Sequence, residues 1–514
     1  MTLSSPNPTR FLSCVRIIGL IVSGLVASIQ SVPAQAADGV ATTVSGQKTK
    51  AGDQPGLMTI EGTVVDESGS AVPKTRVRLY THALKGSVPT SLADAQGRFR
   101  FSVDLATTRY LTFVADSLID GKKAYTSIHE EGTLGLPTPL KLVLKPPRIL
   151  IVEVRDLEGE PAADAYVEAS TSVTSLANGH SEHDGSLRLT LPVDAKVDSV
   201  FALKSGLGLD YWTGYLQPGG VIQDLPEKLV LTLNGARRVR VQAIDSSARP
   251  VSGVMIRPWT IQKPGKSFYV NLSGGFMSRA VESITDTKGI ATIDWIPVEF
   301  MNRINFLIGS KDFHLPQSPI ATSDMNDDVE LTMTLQATTK ISGAVLAEDG
   351  KPAAGILLQA EGRGQSNHYF RNLTRTDAEG HFEFNAYPDQ AYLVAILNEN
   401  WSAPSLLIPK IEEGESVSGV ELRLSKGTVI RGVVTGEGGK SRTNVTVTLI
   451  QTAQTPGDAP INVNLVRWAR TDSEGRYHFR VGPGTFDLMD PDYIQTIQLK
   501  IESEPEVIQD LVTK

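Results

Sequence analysis

Two short stretches carry residue types able to do chemistry. In His180-Ser181-Glu182-His183-Asp184, alternate residues of an extended strand would bring His180 and Glu182 to one face, a geometry a divalent cation could use. Asp184-Gly185 also has the chemistry of a hairpin turn, which makes the stretch a solvated loop entering that turn; no metal ligand is assigned. The second stretch is Tyr211-Trp212-Thr213-Gly214-Tyr215. An exposed aromatic face is what a sugar ring stacks on. Trp212 alternates out of phase with Tyr211 and Tyr215, so one side of the strand presents a ring to solvent unless both sides are covered. Trp401, among the polar residues of Asn398-Glu399-Asn400-Trp401-Ser402, is a further stacking candidate, whereas Trp295 and Trp468 lie within strand-like runs and read as packing. None of the eight histidines begins H-E-x-x-H or H-x-x-E, and neither a G-x-S-x-G elbow nor a phosphate-binding glycine loop is present. No catalytic residue and no cofactor is assigned.

These residues hang on a repeated element. Thr376-Asp377-Ala378-Glu379-Gly380-His381-Phe382-Glu383-Phe384 has counterparts at Ala93-Asp94 to Phe101, His183-Asp184 to Leu189, Thr285-Asp286 to Ile293, and Thr471-Asp472 to Phe479. An Asp that accepts backbone N–H groups, followed by a Gly able to take positive φ, opens a hairpin into a strand with alternating inward side chains. The repeated glycines recur about every 90 to 105 residues, which is domain spacing, not solenoid spacing. Upstream of each copy lies a strand-like run, such as Ile60-Glu61-Gly62-Thr63-Val64-Val65; downstream lies a closing alternation, such as Leu140-Lys141-Leu142-Val143-Leu144. A turn-capping role therefore suits the repeated Asp better than calcium binding, since one carboxylate per turn is far short of the roughly six to eight oxygens calcium takes.

Gly62-Thr63-Val64, Asp66-Glu67-Ser68-Gly69, Val77-Arg78-Leu79 and the Asp94 to Phe101 hairpin resemble the carboxypeptidase regulatory-like domain. The likeness covers the first, fourth and fifth repeats well. The second and third depart from it, because Gly62 and Gly343 have no counterpart there and the aromatic pair becomes Leu187/Leu189 or Ala291/Ile293. The resemblance implies a prealbumin-like, carbohydrate-binding-like β-sandwich, strung in tandem in exported bacterial proteins. It transfers no catalytic residue.

The expected architecture is all-β: five tandem Ig-like or prealbumin-like Greek-key sandwiches at residues 58–146, 147–234, 235–336, 337–425 and 426–514. They follow a signal peptide (1–36) and a flexible linker (37–57). The leader carries Arg10 and Arg16, an apolar core from Ile17 to Ile29, and Ala34-Gln35-Ala36 before Ala37, with cleavage expected after Ala36. The only cysteine, Cys14, precedes the apolar core, so the mature chain has neither disulfides nor Cys-ligated metal. The formal charge is −8, and −10 once the two leader arginines are removed. Acidic chains repel phosphate backbones, so no nucleic-acid partner is expected, and no mature segment is apolar for long enough to span a bilayer. Joints are expected near Lys145-Pro146-Pro147, Asn234-Gly235, Ala337-Thr338 and Lys426-Gly427, each short enough to limit bending without abolishing it; fully extended, the array would be a rod of order 150 Å. The function expected is a non-catalytic scaffold or adhesion module in the periplasm, at the cell surface or outside the cell, with a protein or glycan partner. The alternative is carbohydrate binding through Tyr211, Trp212, Tyr215 or Trp401. Less favoured are an accessory role for a peptidase and an enzyme hidden in the extra loop of the third repeat (263–279).

Overall fold

The computed structural model describes residues 58–81, 88–103, 110–129, 140–171, 174–215, 223–272, 279–301, 303–322, 328–364, 369–456 and 461–513. The leader and linker expected at 1–57 lie outside them, as does part of the 263–279 loop. The fold is all-β. Its helical content among the described residues is two single-turn 3-10 segments, Arg279–Val281 and Glu437–Gly439, and no helix is long and apolar enough to cross a membrane.

Each repeat is built the same way. Its first strand is central in a small sheet, antiparallel to the strand after the Asp turn and parallel to the closing strand. In the first repeat Met58–Val65 lies between Arg98–Val103 and Leu140–Val143; in the fourth Thr339–Leu346 lies between His381–Ala386 and Val417–Arg423. The third repeat adds Phe313–His314 at the edge of this sheet. The fifth closes in two pieces, Glu506–Ile508 and Leu511–Val512, and between them the Asp510 carboxylate accepts the Val433 N–H in place of a backbone carbonyl. A further four strands form an antiparallel sheet, as in Thr90–Leu92, Thr75–Thr81, Tyr110–Ser117 and Lys123–His129, and the third repeat adds the short pair Thr260–Ile261 and Val270–Asn271. Alternation turns one side of each sheet inward, and Ile60, Val64, Leu79, Phe99, Phe101 and Phe113 make the first core.

The Asp turns form as their chemistry dictates. Asp377 Oδ1 accepts from Glu379 N and His381 N, Asp472 Oδ1 from Glu474 N and Arg476 N, and Gly380 and Gly475 take φ of 77° and 75°. At the first turn the same kind of bonds, from Arg98 N and Gln96 N to Asp94 Oδ1, favour the ionised form and hold the Asp94 carboxyl below its usual range. The second repeat corrects the sequence alignment: Gly185 N bonds to Glu182 O and Glu182 N to Ser186 O, so Glu182 stands where the other turns have Asp, and Asp184 sits inside the turn.

A second regularity explains why the second and third repeats differ from the other three. Gly62, Gly343 and Gly432 lie directly opposite Phe99, Phe382 and Tyr477. A Cβ on Gly62 would overlap the Phe99 ring, and one on Gly432 would crowd the Tyr477 ring and overlap the Gln509 carbonyl. Where the central strand carries Val152 or Val241 instead, the opposite residue shrinks to Leu187 or Ala291. The volume is exchanged between facing positions, as a densely packed interior requires.

Candidate functional site at the seams between repeats

The aromatic stretch singled out above is covered on both sides. In strand Gly208–Thr213, Trp212 turns inward against the core of the second repeat, while Tyr211, 0% exposed, turns outward with Phe201, Leu203 and Tyr166 into a cluster completed by the third repeat through Ile261, Val270 and Leu272. This corrects the stacking reading for Tyr211: its ring offers no face to solvent because the third repeat occupies it. The covering element is the extra loop of the third repeat. Tyr211 OH donates to Phe268 O at 2.8 Å and accepts from Lys263 N at 3.2 Å, Ser267 Oγ donates to Tyr215 O at 3.0 Å, and the Tyr215 and Phe268 rings lie 5.8 Å apart. Asp210 receives two cations from the same loop, Lys266 at 2.9 Å and the buried Lys263 at 3.2 Å. Burial pushes the Lys263 ammonium below its usual range, with Asp210 opposing that shift, and burial raises the Tyr211 phenol. Sequence reasoning found the tyrosines but not their role, because nothing local in Tyr211 to Tyr215 names a partner some 50 residues away.

The fourth and fifth repeats meet in the same manner. Ala391, Leu393 and Ala395, on the outer side of the four-stranded sheet, pack on Val463 and Leu465. Those two residues belong to the edge strand Asn462–Arg470, whose free backbone groups are met by side chains. Gln359 Nε2 donates to Val466 O at 3.1 Å, and Glu361 Oε1 accepts from Val466 N at 3.3 Å. Glu361 is fully buried, with Arg371 Nε 3.8 Å away, and the Arg371 guanidinium in turn lies 4.7 Å from the centre of the Trp468 ring. Trp401 is placed here too. It packs on the core of the fourth repeat beneath the Lys426 ammonium, 3.6 Å from its ring centre, and Arg480 donates to Glu399 O and Lys426 O at 2.5 Å each.

The joints themselves are sewn back onto the preceding repeat. Lys145 and Lys123 exchange two backbone hydrogen bonds, as do Ser425 and Ser402; Gly235 N donates to Leu207 O and Thr338 N to Asp312 O. Two further seams have no shared buried apolar cluster among the described residues. Tyr125 of the first repeat packs on the core of the second, where Lys145 pairs with Asp194 at 2.8 Å. Between the third and fourth repeats, the described contacts include the stacked His314 and Tyr387 rings, 3.9 Å apart, a Gln336 to Asp389 hydrogen bond of 3.3 Å, a Thr338 Oγ1 to Lys311 O hydrogen bond of 3.0 Å, and the sewn joint.

The remaining candidates resolve into structure. His180 lies 3.2 Å from Asp164 and edge-on to the Tyr166 ring, while Glu182 is taken up by the turn; among the described residues no group of three or more His, Cys, Asp or Glu could hold a metal. Trp295 is buried, as its strand position suggested. Trp259, 45% exposed, is the tryptophan that sequence reasoning passed over.

No protein-family model and no curated protein matches the chain. Solved structures with local likeness include the Bacillus anthracis TIE protein (12% identity, 79% of this chain and 71% of that chain, TM-score 0.17) and a streptococcal ancillary pilin (9%, 54% and 99%, 0.23). The minor pilin of Streptococcus agalactiae is another (10%, 37% and 96%, 0.23). No role is carried over from them.

Proposed function

We propose that this chain is a non-catalytic, exported scaffold that presents sandwich loops at set positions to a protein partner in the periplasm or at the cell surface. The reading divides the repeats into five sandwich units at 58–146, 147–234, 235–336, 337–425 and 426–514, behind a cleaved leader (1–36) and a linker (37–57). The carboxypeptidase regulatory-like resemblance supports that division, and the three-part leader supports export. One observation carries the scaffold role: aromatic and charged groups able to serve a ligand, namely Tyr211, Tyr215, Asp210, Glu361 and Arg371, are used to hold one repeat against the next. A chain that buries such groups between its units is built to fix spacing, and several weak sites at fixed spacing gain avidity.

The test takes residues 37–514 through a glycan array and insoluble polysaccharides with tryptophan fluorescence recorded, beside a panel of peptidase and glycosidase substrates. The scaffold reading expects neither turnover nor saturable glycan retention. Turnover would end the non-catalytic claim, and saturable retention with a fluorescence shift would replace the scaffold by a carbohydrate-binding protein.

A further inference from the structure

The outer side of the four-stranded sheet has the same neighbour in the second and fourth repeats: the next repeat covers it. In the third repeat no shared apolar cluster covers that side among the described residues: Trp259 and Ile284 stand exposed, and Met255, Arg257, Glu282 and Leu307 are half-buried. Register places Met255 opposite Ile284 and Arg257 opposite Leu307, and Trp259 follows two residues on with the same outward phase, its N–H bonded to Asn305 O. Ile284 is 66% exposed and Trp259 45% exposed. Across this face runs one ion pair, Arg257 to Glu282 at 3.5 Å, each side chain about one-fifth exposed. The covered face of the fourth repeat has the same composition, apolar residues around one cross-strand pair, with the signs exchanged: Glu361 on the inner strand and Arg371 on the edge strand.

We propose that this face of the third repeat, Met255, Arg257, Trp259, Glu282, Ile284 and Leu307, is a dimerisation surface that takes a second copy of the same chain. A patch holding adjacent positive and negative groups is complementary to itself under a two-fold axis, which sets Arg257 against the partner's Glu282 while the apolar residues meet across the axis. The covered faces of the second and fourth repeats show that sandwich surface of this composition seats protein. A sugar would use Trp259 but leave Ile284 and Leu307 bare. One sheet face lies at the low end of specific interface sizes, so the dimer is weak and concentration-dependent. The inference goes beyond the scaffold reading and stands or falls separately from it.

Sedimentation velocity of residues 37–514 is run over a range of about 1 to 200 µM, with circular dichroism confirming that each variant keeps its strand content. The wild type is expected to shift from monomer to dimer. Arg257→Glu and Glu282→Arg each place like charges across the axis and are expected to weaken self-association at least tenfold, and Trp259→Ala to weaken it similarly. The deciding sample is an equimolar mixture of Arg257→Glu and Glu282→Arg chains, in which opposite charges meet again: a heterodimer at wild-type concentrations is expected. A monomer throughout the range would overturn the proposal, as would a dimer indifferent to these changes, or a saturable Trp259 fluorescence shift with a glycan in a chain that stays monomeric.

Discussion

Gly62 and Phe99 share one volume across the pair of strands that opens the first repeat, and that exchange sets the tolerance of the site. Gly62→Val is expected to destabilise the repeat by about 1–3 kcal/mol through overpacking, and Gly62→Val with Phe99→Ala by less than the sum of the two changes. Hydrogen exchange in strand Met58–Val65 reads this locally; strict additivity would remove the exchange-of-volume account. The positions were visible in the sequence as a difference of the second and third repeats from the others, but not as one fact, because Gly62 and Phe99 are far apart in the chain and only the register joins them. A second residue-scale outcome concerns Asp116, almost buried on the first repeat and flanked by Arg78 at 2.5 Å and by Lys123. Burial alone would raise its carboxyl, but Arg78 and Lys123 outweigh it and the net shift is downward. A depressed folded value means the stabilisation is full above the unfolded carboxylate value near about 4 and is lost as pH falls through the lower folded value. Asp116→Asn should therefore lose stability at pH 7 and show a flatter pH dependence than the wild type as pH falls below about 4. An unchanged acid limb in exchange experiments would contradict this.

At the scale of elements, the extra loop of the third repeat is the part whose purpose changed most between sequence and structure. Read alone, its length made it a place to look for hidden chemistry; in the fold its Lys263, Lys266 and Phe268 grip Asp210, Tyr211 and Tyr215 of the preceding repeat. Tyr211→Phe removes the hydroxyl that bonds both Phe268 O and Lys263 N, and is expected to weaken the seam by about 1–3 kcal/mol. Exchange should rise in residues 263–272 while strand Arg148–Arg155, on the far side of the second core, keeps its protection. Equal loosening of both would mean that the tyrosine supports the second core and not the seam. The strand runs and four of the five Asp turns were legible, because period-two alternation and turn chemistry are local; the parallel pairing of the closing strand and Glu182 in the place of Asp were not. The seams were not: an outward Tyr211 has the same sequence signature whether it meets a sugar, water or another sandwich.

At the scale of the whole molecule, the seams are unequal. The second repeat is fixed to the third, and the fourth to the fifth, by shared apolar clusters and buried charge; among the described residues no such cluster joins the third to the fourth, whose contacts include the His314 and Tyr387 ring stack, the Gln336 to Asp389 and Thr338 to Lys311 hydrogen bonds and the sewn joint. Interfaces of the slighter kind permit relative motion by default. Each joint was expected to limit bending without abolishing it; the unequal seams lead us to predict two stiffer pairs, with more bending near Ala337-Thr338. His314→Ala removes the stack and is expected to widen the range of angles at that joint while leaving both pairs unchanged, which small-angle scattering reads as a larger radius of gyration or a broader distance distribution; no change would leave the sewn joint as the determinant.

The absence of cysteine after Cys14 makes the decisive measurement direct, since spin labels can be placed at will on introduced cysteine pairs. Electron–electron distance distributions would be recorded on residues 37–514 across three seams: second to third, fourth to fifth, and third to fourth. Narrow distributions for the first two and a broad one for the last are what unequal seams predict. A broad distribution across the Tyr211 seam or the Glu361 seam would contradict the claim that these residues exist to hold the repeats in place.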